Sequence, residues 1–184
     1  MNTMSGTRHA PQATGAGQIS FRPLQASDLP MLHTWLARTH WTEWWGEAPT
    51  PAEVEAEYGA WIKDPTQVQP YIALLDGQPF AYIQSYVAMG SGEGWWEDET
   101  DPGVRGIDQS IANAAQLGRG LGTAMVKAFV ARLFADRAVT RIQTDPDPRN
   151  ARAIRCYEKA GFQAVGEVQT PDGTALLMVC ERPG

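Results

Sequence analysis

Gln116-Leu117-Gly118-Arg119-Gly120-Leu121-Gly122-Thr123 stands between a candidate strand over 104–112 and a long stretch of helical periodicity. Glycines let a backbone approach a ligand closely, and the free N–H groups at a helix start bind phosphate oxygens. Arg119 adds a positive charge at the same place. No Gly-Lys-Ser/Thr follows, so the stretch is not a lysine P-loop. No βαβ unit with an acid about twenty residues on follows either, so it is a poor dinucleotide fingerprint. Two readings stay open at this point: a phosphate cradle, or a tight strand-to-helix turn that needs glycines for packing alone.

Working outward, 104–112 predicts a central strand. Residues 118–135 predict a helix with Leu121, Met125, Phe129 and Leu133 inward. Upstream, 19–24 reads as a first strand, and Ser27 is expected to cap a helix to about Arg38 with Leu29, Leu32, Trp35 and Leu36 on one face. Residues 41–46 read as an aromatic loop. Thr50-Pro51, with Glu53 three residues after Thr50, opens another helix on which Val54, Tyr58, Trp61 and Ile62 recur. The runs 71–75 and 80–87 flank Asp76-Gly77 and predict an antiparallel hairpin, its turn extending through Gln78-Pro79. An acidic, aromatic insertion fills 90–102. Downstream come a strand at 141–144, a helix at 150–160, a strand at 162–168, a turn at 170–173 and a last strand at 175–180. The order predicts a mixed α/β (α+β) chain, one sheet with helices on both faces.

The 184 residues fit one domain, read as 19–184 behind a flexible tail over 1–18. A chain this long needs neither disulfide nor metal to fold, and no metal is expected. The net charge of -6 argues against nucleic acid or an anionic membrane as partner and permits a cationic ligand. Two cysteines, Cys156 and Cys180, make no disulfide framework, so a reducing cytoplasm is the simpler location. No segment is long and apolar enough to span a bilayer. Seven tryptophans can fill a core, and they also build walls for ring-shaped ligands.

A second motif joins the first. Asn150-Ala151-Arg152-Ala153-Ile154-Arg155-Cys156-Tyr157-Glu158-Lys159-Ala160-Gly161-Phe162 has the shape Asn-x-x-Ala-x-x-x-Tyr-x-x-x-Gly-Phe. With the glycine turn, it resembles the GCN5-related N-acetyltransferase (GNAT) superfamily. The resemblance implies a mostly antiparallel central sheet with splayed central strands. It implies that Gly118, Arg119, Gly120, Leu121, Gly122 and Thr123 hold the pyrophosphate of acetyl-coenzyme A. Asn150 then lies near the pantetheine arm and Tyr157 near the thioester sulfur. The family favours Gln or Arg where Leu117 stands, and here Gln116 comes one place earlier.

Rarer stretches narrow the resemblance. Glu43-Trp44-Trp45-Gly46, Gln84-Ser85-Tyr86-Val87-Ala88, Gly94-Trp95-Trp96-Glu97 and Arg105-Gly106-Ile107-Asp108-Gln109-Ser110 look like the aminoglycoside 6′-N-acetyltransferases of the Ib and II subfamilies. Physical chemistry points the same way. A site for a polycationic, multi-ring drug should offer several carboxylates and aromatic walls. Glu93, Glu97, Asp98, Glu99, Asp101 and Asp108 fall close to Trp95 and Trp96, although such a run can also be a solvated acidic loop. The resemblance places Trp44, Glu93, Trp96, Asp108, Asp145 and Asp172 around the drug. The family more often has Asp where Glu93 stands, and Asp172 can also be an ordinary turn residue. In the resembled subfamilies a large apolar residue at the position of Ile111 goes with amikacin use and a serine with gentamicin use, so the resemblance implies amikacin over gentamicin.

N-acetylation needs a neutral amine, a polarised carbonyl and a protonated or stabilised thiolate. Asp108 on the central strand is the candidate base and amine anchor. Tyr157 is the candidate acid toward sulfur. The alternatives are a strand-edge Asp holding a loop and a buried helix tyrosine. Backbone groups of Gln109, Ser110 and Ile111 are expected to pair with pantetheine and the carbonyl oxygen. No cysteine needs acylating, so direct attack in a ternary complex is expected, by a monomer or weak homodimer. Two other functions fit the cofactor site: acetylation of another amine such as a polyamine or a protein N-terminus, and coenzyme A binding without catalysis.

Overall fold

The computed structural model describes residues 17–184. Of the tail expected over 1–18, residues 1–16 lie outside that range. Gln18 is already tied down, its N–H donating to Asp76 Oδ1 at 2.8 Å.

One seven-stranded sheet runs in the order β1 (Ile19–Pro23), β2 (Val68–Leu75), β3 (Gln78–Val87), β4 (Val104–Ile111), β5 (Arg141–Thr144), β7 (Gly173–Glu181), β6 (Gln163–Thr170). Every neighbouring pair is antiparallel except β4 with β5. The helices are α1 (Leu29–Leu36), α2 (Thr39–Trp45), α3 (Pro51–Lys63), α4 (Leu121–Phe134) and α5 (Ala151–Lys159). Strand alternation sorts them onto two faces. Ile72 and Tyr82 pack with Leu32, Trp41 and Val54 of α1 to α3. Ala73, Ile83 and Ile107 pack with Met125 and Phe129 of α4 and Tyr157 of α5. Each large apolar side chain buried this way contributes about 1.5–3 kcal/mol.

The sheet opens at its centre. β4 stays paired with β3 up to Ile111, but it pairs with β5 only from Val104↔Arg141 to Gly106↔Gln143. The sequence after β5 explains the break. In Asp145-Pro146-Asp147-Pro148 the prolines have no N–H to offer a ladder. The far half of β4, which carries Asp108, therefore borders a gap.

Several local expectations need correction. Ser27 does not cap α1. It lies inside a 3-10 turn, Ala26–Asp28, where Asp28 accepts from the Gln25 N–H and pairs with Arg22 at 2.6 Å. The expected aromatic loop at 41–46 is mostly helix α2. Its residues are middling helix formers and Arg38 is a poor cap, so local signals are weak. Burial of Trp41, wholly enclosed and packed at a tilt against the Trp45 ring with centroids 5.1 Å apart, holds the helix instead. The first hairpin turn is only Asp76-Gly77, both with positive φ (49° and 80°), and Leu75 pairs directly with Gln78. A register shift at Ala73/Leu74 absorbs the odd residue and keeps Ile72 opposite Tyr82. The last hairpin likewise closes on Pro171-Asp172, with Thr170 paired to Gly173. Helix α4 starts at Leu121 rather than 118, because Gly118 and Gly120 take left-handed φ of 72° and 80°.

Gly106 links the fold to the site. A Cβ there would sit 1.9 Å from the Tyr86 ring, which lies across β4 and whose hydroxyl oxygen accepts from Trp96 Nε1–H at 3.2 Å. Gly106→Ala is therefore expected to destabilise the protein by about 1–3 kcal/mol, as overpacking does. Thermal melts check this.

Candidate active site

Two clefts meet at the open centre of the sheet. The first has a volume of about 630 Å³ and runs from β4 past the glycine turn to α5. Gln109, Ser110, Ile111, Gly118, Gly120, Gly122, Thr123 and Asn150 line it. Arg119 is exposed and Leu121 packs against the core, and neither is among the lining residues. Helix α4 has no side-chain cap, so its first N–H groups are left for a ligand. Nothing lies within 4 Å of where a Cβ would stand at Gly118 or Gly120. An uncapped helix start with open space over glycine backbone fits a pyrophosphate.

The phase of the β4 ladder decides which backbone groups face this cleft. The Ala112 N–H bonds the Phe80 carbonyl at 2.8 Å, so even-numbered residues here turn toward β3. Gln109 and Ile111 turn toward the gap, whereas the backbone of Ser110 is committed to β3, contrary to expectation. The Ile111 carbonyl is also taken, by Trp41 Nε1 at 2.9 Å and His40 Nε2 at 2.8 Å. That leaves Gln109 and the Ile111 N–H. Ile111 itself is buried and lines this cleft, not the second one.

The second cleft, about 580 Å³, lies on the other side of the gap. Trp44, Trp96, Asp108, Asp145, Asp172 and Tyr157 line it, and among the described residues no Lys or Arg does. Glu93 is exposed between two glycines and is not brought into it. Trp44, Gln109 and Asn150 border both clefts. Asn150 caps α5 by accepting the Ala153 N–H at 3.1 Å, so its amide nitrogen remains for the junction. Sequence reasoning missed Glu57, Tyr58 and Trp61 of α3 and Gln84 and Tyr86 of β3. Glu57 carried a readable signal: it stands three residues after Val54 and four before Trp61, at an apolar-face position.

Burial is the first reason why the carboxyls of Asp108 and Asp145 hold their protons above the usual range. Asp108 also feels Asp172, and Asp145 feels both. The Gln84 amide opposes this at Asp108. Three acids without a cation form a site short of positive charge. A raised carboxyl contributes stability that is full below its unfolded pKa of about 3.9 and is lost as pH rises through the folded value. Asp145→Asn removes that loss. It should raise Tm at pH 8 by about 3 °C or more, the shift of about 1 kcal/mol in a chain this long. It should give no gain at pH 4. Equal gains at both pH values would deny the linkage.

Tyr157 is buried on α5, with the side chains of Thr144 and Gln109 beside its hydroxyl. Burial pushes its phenol well up, so it keeps a proton to donate. Cys156 turns to the first cleft, 3.7 Å from Thr123 Oγ1, and burial pushes its thiol up too. A thiol held protonated is a poor nucleophile.

Residues 25–170 match the family model described as an acetyltransferase (GNAT) domain. The chain is 55% identical over 179 residues to an aminoglycoside N(6′)-acetyltransferase type 1 of Klebsiella pneumoniae, covering 96% of this chain and 89% of that relative. It is 69% identical over 88 residues to a kanamycin resistance protein of Rhizobium radiobacter, covering 48% of this chain and 82% of that one. A crystal structure of the aminoglycoside acetyltransferase AAC(6′)-Ib with coenzyme A and kanamycin superposes with a TM-score of 0.86 at 57% identity, covering 90% of this chain and 95% of that one.

Proposed function

The chain belongs to the GNAT acetyltransferase domain family, and from that premise we infer that it is an aminoglycoside 6′-N-acetyltransferase that confers antibiotic resistance. The observation that carries this reading is the second cleft: Asp108, Asp145 and Asp172 with tryptophan walls, opening onto the first cleft at Gln109. Kanamycin, tobramycin and amikacin are the substrates expected of it.

Acetyl-coenzyme A, when bound, supplies the thioester that the amine attacks. The uncapped start of α4 holds its phosphates, and Gln109 and the Ile111 N–H pair with its pantetheine arm. On the acceptor side, the carboxylates draw in the ammonium groups and the rings of Trp44 and Trp96 exclude water around them. Asp108 takes a proton from the 6′ ammonium, leaving a neutral nucleophile. Its raised pKa brings it nearer the working pH, where a general base is most effective. Tyr157 holds a proton for the departing sulfur. Cys156 takes no part. One domain over 19–184 does all this, as a monomer or weak homodimer in the cytoplasm. Cys156 and Cys180 are both free, in keeping with that location. Among the described residues no helix is long and apolar enough to cross a membrane.

A spermidine acetyltransferase would also use an acidic cleft, so the test sets the two amines side by side. Thiol release from acetyl-coenzyme A is followed with kanamycin A and with spermidine. Rapid release with kanamycin A and little with spermidine is expected. The reverse would overturn the reading, and no release with either would make the protein a binder of coenzyme A only.

A further inference from the structure

Gln84 on β3 stands directly opposite Asp108 on β4. Its Nε2 donates to Asp108 Oδ2 at 2.9 Å, and its Oε1 accepts the Tyr82 hydroxyl at 2.6 Å. Chemistry fixes this orientation. A carboxylate offers only acceptors, so the amide nitrogen must face it and the amide oxygen must face Tyr82. Tyr82 is fully buried among the rings of Trp41, Trp45 and Tyr58. Burial keeps its phenol neutral, with a proton to give. Asp108 Oδ2 is thus committed, and Oδ1 has no hydrogen-bond donor among the described residues.

We propose that Gln84, oriented by Tyr82, is a positioning residue that engages Asp108 Oδ2 and leaves Oδ1 as the oxygen that takes the amine's proton. This rests on the reading of Asp108 as the base. In the step, an N–H bond of the ammonium breaks, its electron pair stays on nitrogen, and an O–H bond forms at Oδ1. The Gln84 N–H bond to Oδ2 persists throughout, so the carboxyl does not turn. Gln84 also favours the ionised carboxylate. The other groups facing Asp108 do not: Asp145 and Asp172 are acids, and the phenols of Tyr58, Tyr86 and Tyr157 are neutral. Among the described residues Gln84 is the one side chain that donates a hydrogen bond to Asp108, and so the one that holds the base ready near neutral pH.

Gln84→Leu keeps the bulk and removes the donor. The acid limb of its kcat/KM profile should move up by about one pH unit, with affinity for acetyl-coenzyme A unchanged. Tyr82→Phe frees the amide to rotate and should move the limb the same way by less. If Gln84→Leu does not fold, Tyr82→Phe carries the test. A folded Gln84→Leu enzyme slowed equally at every pH, with the limb in place, overturns the proposal. Asp108→Asn separates that failure from a failure of the base reading. If the limb persists in its residual activity, Asp108 is not the titrating base. If the limb vanishes there yet stays put in Gln84→Leu, only the role of Gln84 falls.

Discussion

Asp108→Asn is expected to lower kcat by about a hundredfold or more, the usual contribution of a general base. The substitution keeps shape and hydrogen-bonding capacity and removes the charge and the proton acceptor. The acceptor KM should rise as well, since a charge-assisted contact to the ammonium is lost. Affinity for acetyl-coenzyme A should barely change, because the glycine turn and α4 lie in the other cleft. Tyr157→Phe should give a different pattern, with kcat lowered and drug KM nearly intact, since its hydroxyl is proposed to serve the sulfur. Steady-state kinetics with each substrate varied in turn separate the two. An Asp108→Asn enzyme with wild-type kcat and weakened drug binding would make Asp108 an anchor only, and Asp145 the next acid to replace.

Gly120→Asp is expected to weaken acetyl-coenzyme A binding by at least about a hundredfold. A carboxylate about 4 Å from a phosphate charge is repelled by several kcal/mol in a partly buried site. Nothing crowds a Cβ at this position, and Asp is among the residues that tolerate a left-handed φ, so the variant should fold. Calorimetry with acetyl-coenzyme A reads the result directly. Wild-type affinity in the folded variant would remove the phosphate site from the start of α4.

The fold was legible where side-chain period and local chemistry agreed. The capping box at Thr50 and Glu53 forms as read, and Met125 and Phe129 face the core from α4. Strand β5 has the expected bounds. Failures came where tertiary contacts outvoted local signals. Helix α2 exists because Trp41 is buried, and no residue before it announces a cap. The site was partly legible. Asp108, Asp145, Asp172, Trp96 and Tyr157 come together in one cleft from β4, the loops after β5, β6 and β3, and α5. Resemblance supplied that grouping, since these residues are far apart in the chain. Glu93, which the resemblance also set at the drug, is exposed and outside the cleft, and nothing in its acidic, aromatic run says which of the acids turns inward. Gln84 was legible only as part of a rare stretch, because the role proposed for it depends on a cross-strand register. The one-to-one pairing of β3 with β4 sets it opposite Asp108.

On the proposed reading, the nitrogen that receives the acetyl group is set by where the carboxylates and ring walls hold the drug against Asp108. Kanamycin A is turned over with acetyl-coenzyme A and the position of the acetyl group in the product is assigned by NMR. Acetyl on the 6′ nitrogen is predicted, together with no turnover of an analogue that carries a 6′ hydroxyl. Acetyl on any other nitrogen, or turnover of that analogue, would contradict it.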